Sequence, residues 1–150
     1  MKIQNIISVA FGYVLACSTA AAVELYAGGK TEAEIRTEIV IRCQSQMGEW
    51  GVDAIDICVK AEHQARAELE AYPDEFFDIV RRCNRVKYNA GWSWIKLCAD
   101  NDIAARDALS AYPQDHDEVI NACNEEKGRY GYSEVKQCVD ERIALPNDAK

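Results

Sequence analysis

The chain has 150 residues, with 17 Lys and Arg against 25 Asp and Glu, a formal charge of -8 and seven cysteines. That length allows one domain with a modest core. The acidic balance argues against nucleic acid or an anionic membrane surface as the partner.

Residues 1–22 read as a secretory signal peptide. Lys2 is the only charged side chain, an apolar run extends from Ile6 to Ala16, and the segment ends in Ala20-Ala21-Ala22. A charged start, an apolar middle and an A-x-A exit mark a leader that is removed. The run is shorter than the roughly 20 residues of a membrane-spanning helix, so no transmembrane segment is expected. Cleavage after Ala22 predicts a periplasmic or secreted protein and leaves six cysteines, Cys43, Cys58, Cys83, Cys98, Cys123 and Cys138. An even cysteine count in a small exported domain implies a disulfide framework. Lipidation at Cys17 in "VLAC" is the weaker alternative, because Leu15 stands where a smaller residue is usual.

Residues 23–34 form a short lead-in. Gly28-Gly29-Lys30 lacks the frame of a phosphate loop. Thr31 with Glu34 fits a capping box that starts a helix.

From there a 40-residue repeat governs the chain, in copies 35–74, 75–114 and 115–150. Cys43, Cys83 and Cys123 are in phase, as are Gly51, Gly91 and Gly131, and Cys58, Cys98 and Cys138. Ile39-Val40, Ile79-Val80 and Val119-Ile120 recur before each first cysteine, and "ELEAYP" and "ALSAYP" close the first two copies. Within the first copy Ile55, Cys58, Val59, Ala65 and Leu69 are spaced for one helix face, and Ile95, Cys98, Ala99, Ala105 and Leu109 repeat the pattern in the second. Lys60, Glu62, Arg66 and Glu68 fall mainly on the other, polar side. Tyr72-Pro73 and Tyr112-Pro113 end the long helices, since the residue before proline is driven out of the α region. Asp115 with Glu118 fits a second capping box. No stretch alternates as a strand would, so the fold is expected to be all-α.

Each repeat holds two cysteines 15 residues apart. In one unbroken helix they would lie about 22 Å apart at ~1.5 Å per residue, whereas a disulfide needs Cα atoms within about 7 Å. The helix must break between them, and the recurring glycine is the place. Gly51 stands eight residues after Cys43 and seven before Cys58, so in an antiparallel hairpin the two thiols face each other. The rival pairing of Cys58 with Cys83 is offset by five residues about Pro73, roughly 7 Å along the helices. The chain therefore predicts three disulfide-stapled helical hairpins stacked into a short α-solenoid, with the third copy cut short at Pro146 as a cap. In general architecture this resembles Sel1-like and tetratricopeptide repeats. The 40-residue period, the cysteine spacing and the "AYP" terminus depart from both signatures, so no family function follows.

Little in the chain points to chemistry. His63 and His116 are the only histidines and neither has a second ligand nearby, so no metal and no cofactor is expected. No serine stands in a nucleophile elbow. Asp53 with Asp56, and Asp100 with Asp102, read as solvated helix surface. No enzyme activity is expected; a hydrolytic site without a recognisable motif ranks third among the readings.

Two surface features remain. Trp50, Tyr88, Trp92, Trp94, Tyr130 and Tyr132 gather at the glycine turns, where the expectation is that they pack under each turn. The middle copy carries six basic and five acidic groups, against four and eight in the first and five and nine in the third. Its Arg81, Arg82, Arg85 and Lys87 concentrate on one helix. These patterns suggest an exported helical-repeat binding protein whose partner is another protein in the envelope or outside the cell, the chain itself being an inhibitor or immunity-type factor, an adaptor or a secreted effector. The candidate binding residues are Trp92 and Trp94 as anchors and Arg81, Arg82 and Arg85 as steering charges. Recognition of glycan or cell-wall fragments on an aromatic rim is the alternative.

Overall fold

The computed structural model describes residues 28–144. The leader, Cys17 and the break at Pro146 lie outside the described residues. Among the described residues six α-helices follow one another: α1 Glu32–Met47, α2 Val52–Glu70, α3 Phe77–Lys87, α4 Trp92–Ser110, α5 Asp117–Lys127 and α6 Tyr132–Ala144. Among the described residues there is no strand. The helices pair as three hairpins, α1 with α2, α3 with α4 and α5 with α6.

The disulfides join Cys43 to Cys58, Cys83 to Cys98 and Cys123 to Cys138, with Cα separations of 5.7, 5.7 and 5.8 Å. Each closes a loop worth about 3 kcal/mol in the chain-entropy account. The turn between the paired helices has one form throughout. Three residues of 3-10 helix end the first helix, and the glycine then caps the start of the second. Gly51, Gly91 and Gly131 have φ of 89°, 114° and 122° with ψ near the extended value, a region closed to residues with a Cβ. The break therefore lies at the N-cap of the second helix rather than the C-terminus of the first.

The connections between hairpins also repeat. Pro73 and Pro113 lead 3-10 turns, closed by Phe76 N–H to the Pro73 carbonyl and His116 N–H to the Pro113 carbonyl, both at 3.0 Å. The expected capping box at Thr31 and Glu34 is present. The one expected at Asp115 and Glu118 is not: Asp115 lies inside the proline-led turn, and α5 starts from His116 without a side-chain cap.

The long second helices α2, α4 and α6 pack side by side and form the spine, while each first helix packs chiefly on its own partner. One apolar cluster runs through the first two hairpins, from Ile35, Ile39 and Leu69 to Val80, Trp92, Ile95 and Ala99. A smaller one, with Cys123, Val135 and Val139, fills the third hairpin and is closed by Leu109 from α4. The repeat period thus appears as stacked hairpins with a divided core.

Candidate functional site

The surfaces between hairpins are built by charged joints that recur with the period. In the first joint Glu62 on α2, only 5% exposed, aims its carboxylate at the start of α4. The Trp92 N–H donates to Oε2 at 2.7 Å and the Ser93 N–H to Oε1 at 3.1 Å. Arg42 on α1 adds an ion pair to the same carboxylate at 3.1 Å. The first N–H groups of a helix lack partners within the helix, and a carboxylate there also meets the favourable end of the helix dipole. Here that carboxylate comes from the preceding hairpin.

Forty residues on, Asp102 takes the role of Glu62 and Arg82 that of Arg42. Asp102 accepts from the Tyr132 N–H at 3.2 Å, the Ser133 N–H at 3.0 Å and the Ser133 hydroxyl at 2.8 Å. Arg82 pairs with Asp102 and also donates to the Tyr130 carbonyl. Burial lowers the Arg82 pKa from its ordinary value. The glycines complete the joint. A Cβ on Gly91 would lie 2.5 Å from Glu62 Oε2, and one on Gly131 would strike the Arg82 guanidinium, whereas Gly51 faces open space. In the third copy the two positions are Ala122 and Arg142. The last hairpin thus carries no equivalent carboxylate to cap a further helix.

A second contact repeats at the opposite end of the first two hairpins. Tyr72 donates to Asp100 and Tyr112 to Asp140, each carboxylate also holding a lysine one turn earlier, Lys96 at 2.7 Å and Lys136 at 2.6 Å. Burial and then the Asp100 hydrogen bond push the Tyr72 phenol up to about 12. The hydrogen bond that Tyr112 donates to Asp140 raises the Tyr112 phenol, and Lys136 with Tyr112 lowers the Asp140 carboxyl. These contacts explain the tyrosine of the "AYP" signature.

The joints correct several sequence expectations. Glu62, Arg66 and Asp102 are buried rather than solvated: Arg66 is held by Glu32 and Glu70, each at 2.8 Å, and its guanidinium lies over the Trp92 ring. Trp92 is 6% exposed and belongs to the core, and Arg82 is occupied within its joint. Neither is free to meet a partner. Arg81 is exposed but paired with Asp78 at 2.9 Å, and Arg85 is exposed. Trp94, two residues beyond Trp92 and so about 200° around the helix, is 53% exposed. The five candidates do not form one cluster. The turn aromatics also divide: Trp92 packs inward, Tyr88 is tied to Lys30 and Glu38, and Trp50, Tyr130 and Tyr132 are exposed.

Above each joint lies a groove, and the two grooves are formed by equivalent positions. Groove 1, about 360 Å³, lies between the first two hairpins, with Met47, Ala54, Ile57, Ala61, Ala90 and Trp94 in its wall. Groove 2, about 590 Å³, lies between the second and third, with Val86, Lys87, Asn101, Lys127, Tyr130 and Glu134. Met47 is replaced by Lys87, Ala61 by Asn101 and Trp94 by Glu134. One frame thus presents an apolar groove beside a charged one. Sequence reasoning missed Ile57, Lys127 and the pairing of grooves, although comparing the copies position by position carries that signal.

Among the described residues no three His, Cys, Asp or Glu side chains gather as a metal cluster, and no helix is long and apolar enough to cross a membrane. Comparison with family models, curated proteins and solved structures gives no match.

Proposed function

We propose that this chain is an exported protein, periplasmic or secreted, that binds another protein through the grooves between its hairpins and performs no catalysis. The carrying observation is groove 1, where Trp94 and Ile57, 53% and 68% exposed, stand beside each other's hairpins on a stapled frame. Large apolar side chains held rigidly at a surface groove are the usual anchors of protein interfaces. Three disulfides fit an oxidising compartment. An inhibitor or immunity-type factor, an adaptor or a secreted effector would each use such a surface.

The second reading, binding of glycan or cell-wall fragments, draws support from exposed Trp50 and Tyr130 at the turns. Affinity capture from the native host with the oxidised protein separates the two. The first reading expects a stoichiometric protein that is lost with Trp94→Ala, about 30-fold in affinity for a central anchor, and retained with Trp50→Ala. Retention on cell-wall glycan that is lost with Trp50→Ala, with no effect of Trp94→Ala, would replace it with the second.

A further inference from the structure

The cations of this acidic chain are distributed unevenly with respect to carboxylates. Among the described residues every Lys and Arg but four lies within ion-pair distance of one. Arg85, Lys87, Lys127 and Arg129 do not, and all four lie at or next to the turns of the second and third hairpins. Lys87 and Lys127 line groove 2, and Arg129 stacks on Tyr130, which lines it too. Of the two carboxylates there, Asp102 is already matched by Arg82 and the helix start, which leaves Glu134 against Lys87 and Lys127.

We infer that groove 2 receives an acidic side chain of the same polypeptide segment whose apolar side chain fills groove 1. This rests on the reading of groove 1 as a protein-binding surface and names the chemistry of the partner: a segment with a large aliphatic or aromatic residue and a nearby Asp or Glu. The spacing follows from the spine. α2, α4 and α6 lie side by side, so the grooves are one interaxial step apart, about 9 Å. An extended chain covers that distance in about three residues at ~3.3 Å each. The apolar side chain is therefore expected about three positions from the acidic one. An anionic glycan fits less well, because Met47, Ala54, Ala61 and Ala90 around Trp94 give groove 1 few polar groups to hold hydroxyls.

The test is selection of a displayed library of random peptides on the oxidised protein, with binding of the enriched peptides then measured on variants. The expected peptides pair an apolar residue with Asp or Glu about three positions away. Trp94→Ala should weaken them at least 10-fold at any salt concentration. Lys87→Glu/Lys127→Glu should weaken them about 10-fold at low salt and much less near 1 M, where the screening length falls to about 3 Å. Peptides that depend on Trp94 but carry no acid and ignore the lysine reversal would overturn this inference and leave the groove 1 reading standing. Peptides indifferent to both sets, or binding of polyuronate in place of peptides, would overturn both.

Discussion

Replacing Glu62 with alanine tests the joint on which the stacking of hairpins depends. The substitution removes the acceptor of the Trp92 and Ser93 N–H groups and the partner of Arg42, whose side chain is 15% exposed. Loss of a helix N-cap costs about 1 kcal/mol, and the second hydrogen bond about 1 more. Stranding one member of a fully buried ion pair costs about 3–5 kcal/mol, and the partial exposure of Arg42 reduces its share to roughly 1. The expected total is about 3 kcal/mol. With a urea slope of about 2 kcal/mol/M, the midpoint of the oxidised protein should fall by about 1.5 M. The measurement is urea unfolding followed by far-ultraviolet circular dichroism and by tryptophan fluorescence, with Trp92 beside the joint. A double-mutant cycle with Arg42→Ala should return a coupling above about 1 kcal/mol. The exposed Glu49→Ala is the control. If Glu62→Ala and Glu49→Ala shift the midpoint alike, the carboxylate does not hold the hairpins together and the joint argument fails.

Gly91→Ala should cost more than Gly51→Ala by at least about 1 kcal/mol, because both have positive φ but only Gly91 abuts Glu62; equal losses in thermal unfolding would contradict the close-approach role. Tyr72 has a folded pKa raised to about 12 from 10.0, so its stabilising contribution is complete below about pH 10 and is lost as pH rises toward 12. Discounted for partial exposure, the loss over that window is about 1–2 kcal/mol; urea titrations should show the parent losing stability relative to Tyr72→Phe as pH rises from about 10 toward 12, and a constant difference between the two would refute the assignment. Non-reducing digestion should yield three linked fragments, each with both cysteines of one hairpin, and a Cys58–Cys83 fragment would overturn the register. Cys83→Ala/Cys98→Ala should remove about 3 kcal/mol, read from the urea midpoint, and a loss below 1 would mean that the staple adds little to the packed hairpin.

Much of the fold was legible because its determinants are local or periodic. The apolar spacing of Ile55, Cys58, Ala65 and Leu69 specifies one helix face, and the equal distances of Cys43 and Cys58 from Gly51 specify the staple. Such relations survive without knowing how hairpins stack. The joints are different. Glu62 meets Trp92 and Ser93 across 30 residues of chain, and nothing in helical periodicity distinguishes a carboxylate that caps a neighbour from one that faces water.

The same limit separated the two tryptophans. Trp92 and Trp94 share composition and neighbourhood, and the sequence alone ranked them together as anchors. Stacking turned the first toward α2 and the core and left the second in groove 1. Arg82 likewise reads as one of three basic residues on a helix, until the third hairpin supplies the Tyr130 carbonyl and α4 supplies Asp102. The helices and the disulfide register were set by patterns within single copies, and the period by aligning the copies along the chain. Which side chains are buried, and what the surface offers a partner, depended on contacts between copies, because burial is a property of the assembled neighbours.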